Sequence, residues 1–105
     1  MLVNDQTDEF SGPTPSWTFL TNHGLVLLCV AREPDIRLID IAEQVGISMR
    51  AVQKIIAELV RTGYVTRVRC GRRNVYQIHE TRSIRAPVES RRSVADLLKL
   101  VEMPK

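Results

Sequence analysis

The stretch "LIDIAEQVGISMRAVQKIIAELVRTG", Leu38 to Gly63, decides the fold. Leu38, Ile41, Ala42 and Val45 recur at i, i+3, i+4 and i+7, the period of a half-buried helix. Gly46 closes that helix in the left-handed conformation glycine tolerates, and Ile47 follows as a hydrophobic anchor. Ser48 caps a second helix whose buried stripe is Val52, Ile55, Ile56 and Leu59, and Gly63 stops it. Two helices joined by a turn of about three residues around a glycine make a helix-turn-helix.

Downstream, the period falls from 3.6 to 2. "YVTRVRC" and "NVYQIH" alternate like strands, and the glycine and asparagine between them predict a hairpin. Residues 81–92 are polar and basic with one proline and read as a connector. Residues 93–105 hold a last helix, opened by a variant capping box of Ser93 and Asp96 and striped by Val94, Leu97, Leu98 and Val101.

Upstream, residues 1–16 contain Gly12, Pro13 and Pro15 and read as an irregular arm. "TNHGLVLLCVARE" is a helix with Thr21 as N-cap, Phe19 and Leu20 as staple residues, and Pro34 as its stop. Leu25, Leu28, Cys29 and Ala31 are assigned to its core-facing side. Val26, Leu27 and Val30 then exceed what one small core needs, which points Val26 and Val30, with Trp17, Phe19, Leu97, Leu98 and Val101, toward a dimer interface. The fold class is mainly α with a small β-hairpin (α+β): a winged helix-turn-helix with a three-helix core, a wing and an extra C-terminal helix. Residues 17–80 form the winged domain, and residues 93–105 serve as a dimerisation element.

The 105 residues suffice for one small domain. Charge is lopsided. Residues 1–48 carry seven acidic against two basic side chains, whereas residues 61–92 carry nine arginines against two glutamates. Such asymmetry marks a polyanion-binding face. No apolar run approaches the roughly 20 residues that span a bilayer. The acidic start is unlike a secretory signal, so a cytoplasmic location is expected. Cys29 and Cys70 are far apart and read as separate thiols, with redox sensing a minor alternative for Cys70. With only His23 and His79 besides, scattered along the chain, no metal site or cofactor is expected.

With the stripe of the second motif helix committed to a core, Ser48, Met49, Arg50, Gln53 and Lys54 face outward. Arginine pairs with guanine, glutamine with adenine, and lysine or serine with phosphate, so this face suits a major groove. In "RVRCGRRNVY", Arg67, Arg69, Arg72 and Arg73, with Asn74, crowd a hairpin that has no acidic residue. Like charges across strands destabilise a hairpin unless an outside group compensates. A duplex placed beside both elements supplies that counter-charge through its minor groove or phosphates.

The run "IRLIDIAEQVGISMRAVQKIIAELVRTGYVTRVRCGRRNVYQI" resembles bacterial and archaeal winged helix-turn-helix transcriptional regulators of the MarR, ArsR and IclR type, over roughly residues 20–80. In that resemblance "DIAEQVG" is the first helix of the motif, "RAVQKIIAEL" the recognition helix and "GRRNVY" the wing tip. It implies a homodimeric transcription factor that reads double-stranded DNA at pseudo-palindromic operators, with the recognition helix (48–62) in the major groove and the wing (67–76) alongside. The chain departs from the metal-sensing ArsR pattern in lacking ligand clusters, and from IclR in lacking an effector domain.

An enzyme is not expected: there is no glycine-rich phosphate loop, no nucleophile beside a histidine, and Asp40 and Glu43 face solvent. The competing reading is a winged-helix module that binds protein or RNA. Operator, regulated genes and any small-molecule effector lie beyond the sequence.

Overall fold

The computed structural model describes residues 13–84 and 92–101. Most of the expected arm, the middle of the connector and the last four residues lie outside that range, as does the side chain of Val101. The element order is α1 (Asn22–Arg32), α2 (Leu38–Val45), α3 (Met49–Arg61), β1 (Val65–Cys70), β2 (Arg73–Ile78) and α4 (Val94–Val101). This is the expected winged helix.

α1 starts at Thr21, whose hydroxyl accepts from the Gly24 amide at 3.2 Å. Its buried side is Val26, Leu27, Cys29 and Val30; of the side assigned from periodicity Cys29 is buried, whereas Leu25, Leu28 and Ala31 are only half-buried. Val26 and Val30, expected at a subunit interface, are thus enclosed by their own protomer. The reason is physical. In a run that is aliphatic at nearly every position, periodicity selects no face, and α2, α3 and β2 packing onto α1 make the choice.

α2 and α3 follow the reading closely. Gly46 takes φ 83° and ψ 34°, and the amides of Gly46 and Ile47 both donate to the Ala42 carbonyl, at 2.8 and 3.1 Å. The Ser48 hydroxyl then accepts from the Ala51 amide at 3.1 Å. Val52, Ile55, Ile56 and Leu59 are buried against Ile41, Ala42 and α1. α3 is capped by Thr62 and turned by the next residue: Gly63 has φ 86°, and the Tyr64 amide reaches back to the Leu59 carbonyl at 2.9 Å.

β1 and β2 pair antiparallel from Val65 with Ile78 to Cys70 with Arg73. The turn is therefore Gly71-Arg72, and Asn74, expected between the strands, lies within β2 opposite Arg69. The Tyr76 amide donates to the Pro34 carbonyl at 2.8 Å, tying the wing to the α1–α2 connection. α4 returns to the same protomer. The Val94 and Ala95 amides donate to the carbonyls of Arg82 and Glu80, and Val94 is 1% exposed in the core. The capping box forms: the Ser93 amide donates to the Asp96 carboxylate at 3.0 Å, and the Ser93 hydroxyl accepts from the Asp96 amide at 3.4 Å.

Candidate nucleic-acid interface

Burying one stripe of α3 turns the opposite side to water. Ser48, Met49, Arg50, Gln53 and Lys54 are all exposed. Arg50, Gln53 and Lys54 sit at i, i+3 and i+4, neighbours on one helical surface. The next residue along it, Glu58, is engaged elsewhere: His23 Nε2 of α1 lies 2.6 Å from its Oε1. That hydrogen bond is the main cause holding the Glu58 carboxyl below the usual glutamate range; desolvation opposes it, and the nearby charges of His23, Lys54 and Arg61 add to it.

On the wing, Arg67, Arg69, Arg72 and Arg73 are exposed and Asn74 is half-buried. The register relieves the expected opposition of like charges, since Arg67 faces Tyr76 and Arg69 faces Asn74. Strand alternation places Arg67 and Arg69 on the face that carries Val65, Tyr76 and Ile78, where β1 itself is buried at Val65 and exposed from Arg67 onward. Arg69 Nε donates to the Gly71 carbonyl at 3.0 Å, and Arg73 Nη1 donates to the Asp35 carbonyl at 3.1 Å. Arg73 therefore anchors the wing to the α1–α2 connection with part of its guanidinium. Among the described residues the ion pairs are His23–Glu58 and Arg37–Asp40, so Arg50, Lys54, Arg67, Arg69, Arg72 and Arg73 have no carboxylate partner there.

Arg82, read only as part of a basic connector, has a specific place. Its Nη2 donates to the Thr62 carbonyl at 2.7 Å, and its guanidinium lies 5.0 Å over the Tyr64 ring. The Tyr64 hydroxyl donates in turn to the Ser83 carbonyl at 2.8 Å. A cation at the C-terminal end of α3 opposes the partial negative charge of its free carbonyls. No sequence period could reveal a partner 20 residues upstream. Cys29 is buried and its thiol is pushed up by desolvation, with Arg32 pulling the other way, whereas Cys70 is exposed. Among the described residues no three His, Cys, Asp or Glu side chains group to hold a metal ion, and no helix is long and apolar enough to cross a membrane.

A family model described as MarR family matches residues 15–73, from the approach to α1 through the hairpin turn. The chain belongs to the MarR family. Of the three regulator types it resembles, the match thus selects one. The ligand-bound PcaV transcriptional regulator from Streptomyces coelicolor superposes on this MarR-family chain with a TM-score of 0.50 at 24% identity, covering 57% of this chain and 45% of that one. That likeness shows a shared fold. The zinc-dependent MarR-family regulator AdcR in its Zn(II)-bound state has a TM-score of 0.45 at 26% identity, covering 66% of this chain and 49% of that one. The MarR-family chain described here thus spans less than half the length of either structure. Among curated proteins none matches it.

Proposed function

We propose that this chain is a cytoplasmic transcriptional regulator that binds double-stranded DNA sequence-specifically as a homodimer. Residues 17–80 form the DNA-binding unit, α3 with its cap (48–62) enters the major groove, and the wing (67–76) lies on the adjacent minor groove or phosphates. One observation carries the reading. Six cations on α3 and the hairpin that follows it, Arg50, Lys54, Arg67, Arg69, Arg72 and Arg73, have no carboxylate within ion-pair distance among the described residues. Like charges at i, i+4, as Arg50 and Lys54 are, destabilise a helix, and the phosphates of a duplex would offset that repulsion. Membership of a family whose solved members include transcriptional regulators supports the same reading.

Within it, Arg50 and Gln53 read bases, Ser48 and Lys54 hold phosphate, and Met49, 41% exposed, is placed for apolar contact with a thymine methyl. The test is selection of a best duplex from a random pool, followed by competition against mismatched duplexes. Arg50→Ala/Gln53→Ala is expected to lose roughly 1–3 kcal/mol of discrimination for each bidentate contact removed. Equal affinity of the native chain for all duplexes, or tighter binding to single-stranded RNA, would replace this reading with that of a general winged-helix module.

A further inference from the structure

The joint between α3 and the wing is short: Thr62, then Gly63 at positive φ, then Tyr64. A glycine at its centre makes it the natural pivot between the two elements. Arg82 closes that pivot from outside. Its Nη2 donates to the Thr62 carbonyl at 2.7 Å, its guanidinium lies 5.0 Å over the Tyr64 ring, and its Nε stands 3.5 Å from where a Cβ on Gly63 would be. One side chain thus reaches all three residues of the joint. Tyr64 is also held from its far end, where its hydroxyl donates to the Ser83 carbonyl at 2.8 Å and its own carbonyl accepts from the His79 amide at 2.9 Å. The backbone that carries the guanidinium is fixed in turn. The Arg82 amide donates to the His79 carbonyl at 3.2 Å, and the Arg82 carbonyl accepts at 2.9 Å from the amide of Val94, a core residue.

We propose that Arg82 is a positioning residue for base recognition: it fixes the angle between α3 and the wing, and through that angle the discrimination exerted by Arg50 and Gln53. The proposal rests on the functional reading of α3 and the wing above and adds the residue that aligns them. α3 supplies a lever. Its 13 residues span roughly 20 Å at about 1.5 Å each, and Arg50 and Gln53 lie toward the end away from the joint. A pivot of about 5° at Thr62 carries them through about 1–2 Å. That exceeds the range of about 0.5 Å over which an N–H···O bond keeps its length. The wing's other attachment is to the α1–α2 connection, where Tyr76 and Arg73 donate to the carbonyls of Pro34 and Asp35. Two attachments set the tilt of a hairpin, and Arg82 makes the one that adjoins the recognition helix.

The test takes the full chain and the duplex selected from the random pool. Affinity is measured for that duplex and for singly mismatched ones, at several salt concentrations. Arg82→Ala should lower the ratio of best to mismatched affinity by about tenfold and keep the native salt slope. The ratio does not depend on the fraction of folded protein, so a general loss of stability leaves it unchanged. Arg82→Lys keeps a donor for the Thr62 carbonyl and a cation for the Tyr64 ring, and should recover part of the ratio. Tyr64→Phe, a milder change that removes only the bond to Ser83, should lower the ratio in the same direction. A native chain that binds every duplex equally overturns the functional reading and this proposal with it. Where the native chain discriminates, an unchanged ratio in Arg82→Ala and Tyr64→Phe overturns the proposal alone. A salt slope flatter by about 1 in Arg82→Ala does the same, because it makes Arg82 a phosphate contact and not a brace.

Discussion

Gly46, the residue after α2, and Gly63, two residues after α3, both sit at positive φ, 83° and 86°. At each, the amide of the following residue reaches back five residues, Ile47 to the Ala42 carbonyl and Tyr64 to that of Leu59, and turns the chain toward the next element. At Gly46 an added Cβ would meet nothing within 4 Å, so the cost of substitution is purely one of backbone conformation. Gly46→Ala is therefore expected to lower stability by about 1–2 kcal/mol in urea unfolding, and Gly46→Asn by less, since asparagine visits this region more readily. At this scale the sequence was read well wherever one residue type has one physical use, as at Gly46, Ser48 and the Ser93–Asp96 box. Arg82 and the His23–Glu58 pair escaped it because their partners are 20 and 35 residues away and leave no local pattern.

Legibility at the level of elements depended on contrast between faces. α2 and α3 alternate apolar with polar residues; the buried stripe of α3 is the one the sequence predicts, and in α2 Ile41 and Ala42 are buried while Leu38 and Val45 pack half-buried against the core. α1 has no such contrast, which is why Val26 and Val30 were assigned outward and lie in the core. The hairpin was legible as a hairpin, but its turn was displaced by the choice between Gly71-Arg72 and Asn74, which only register decides. The outward residues of α3 and the wing arginines are exposed as read, with Asn74 half-buried, and Arg73 carries a structural bond that no strand pattern announces. α1 and α3 are also linked by His23 and Glu58, and this link has a pH signature. Glu58 titrates lower in the folded chain than its ordinary value, so its stabilising contribution is present above about pH 4.3 and is lost as the pH falls through the folded value. Thermal melts across pH 3–6 should show a shallower acid limb for Glu58→Gln than for the native chain, and identical acid limbs would remove the link from the account.

At the level of the whole molecule, a compact core of three helices and a hairpin leaves two exposed surfaces among the described residues: a basic one on α3 and the wing, whose cations have no carboxylate partner there, and an aromatic one ahead of α1. In the reading proposed above the first meets the phosphates of a duplex, and a two-fold pair would present two recognition helices to successive major grooves. The measurement that bears most directly on this account is duplex affinity as a function of salt, for the native chain and for Arg67→Ala/Arg72→Ala, the two wing arginines without a hydrogen-bond partner among the described residues. Affinity should fall steeply with salt, by about 0.9 logarithmic units per phosphate neutralised for each tenfold rise. The double variant should bind every duplex more weakly, with a slope flatter by about 2. A native affinity indifferent to salt, or a double variant with the native slope, would contradict the claim that the wing lies on DNA.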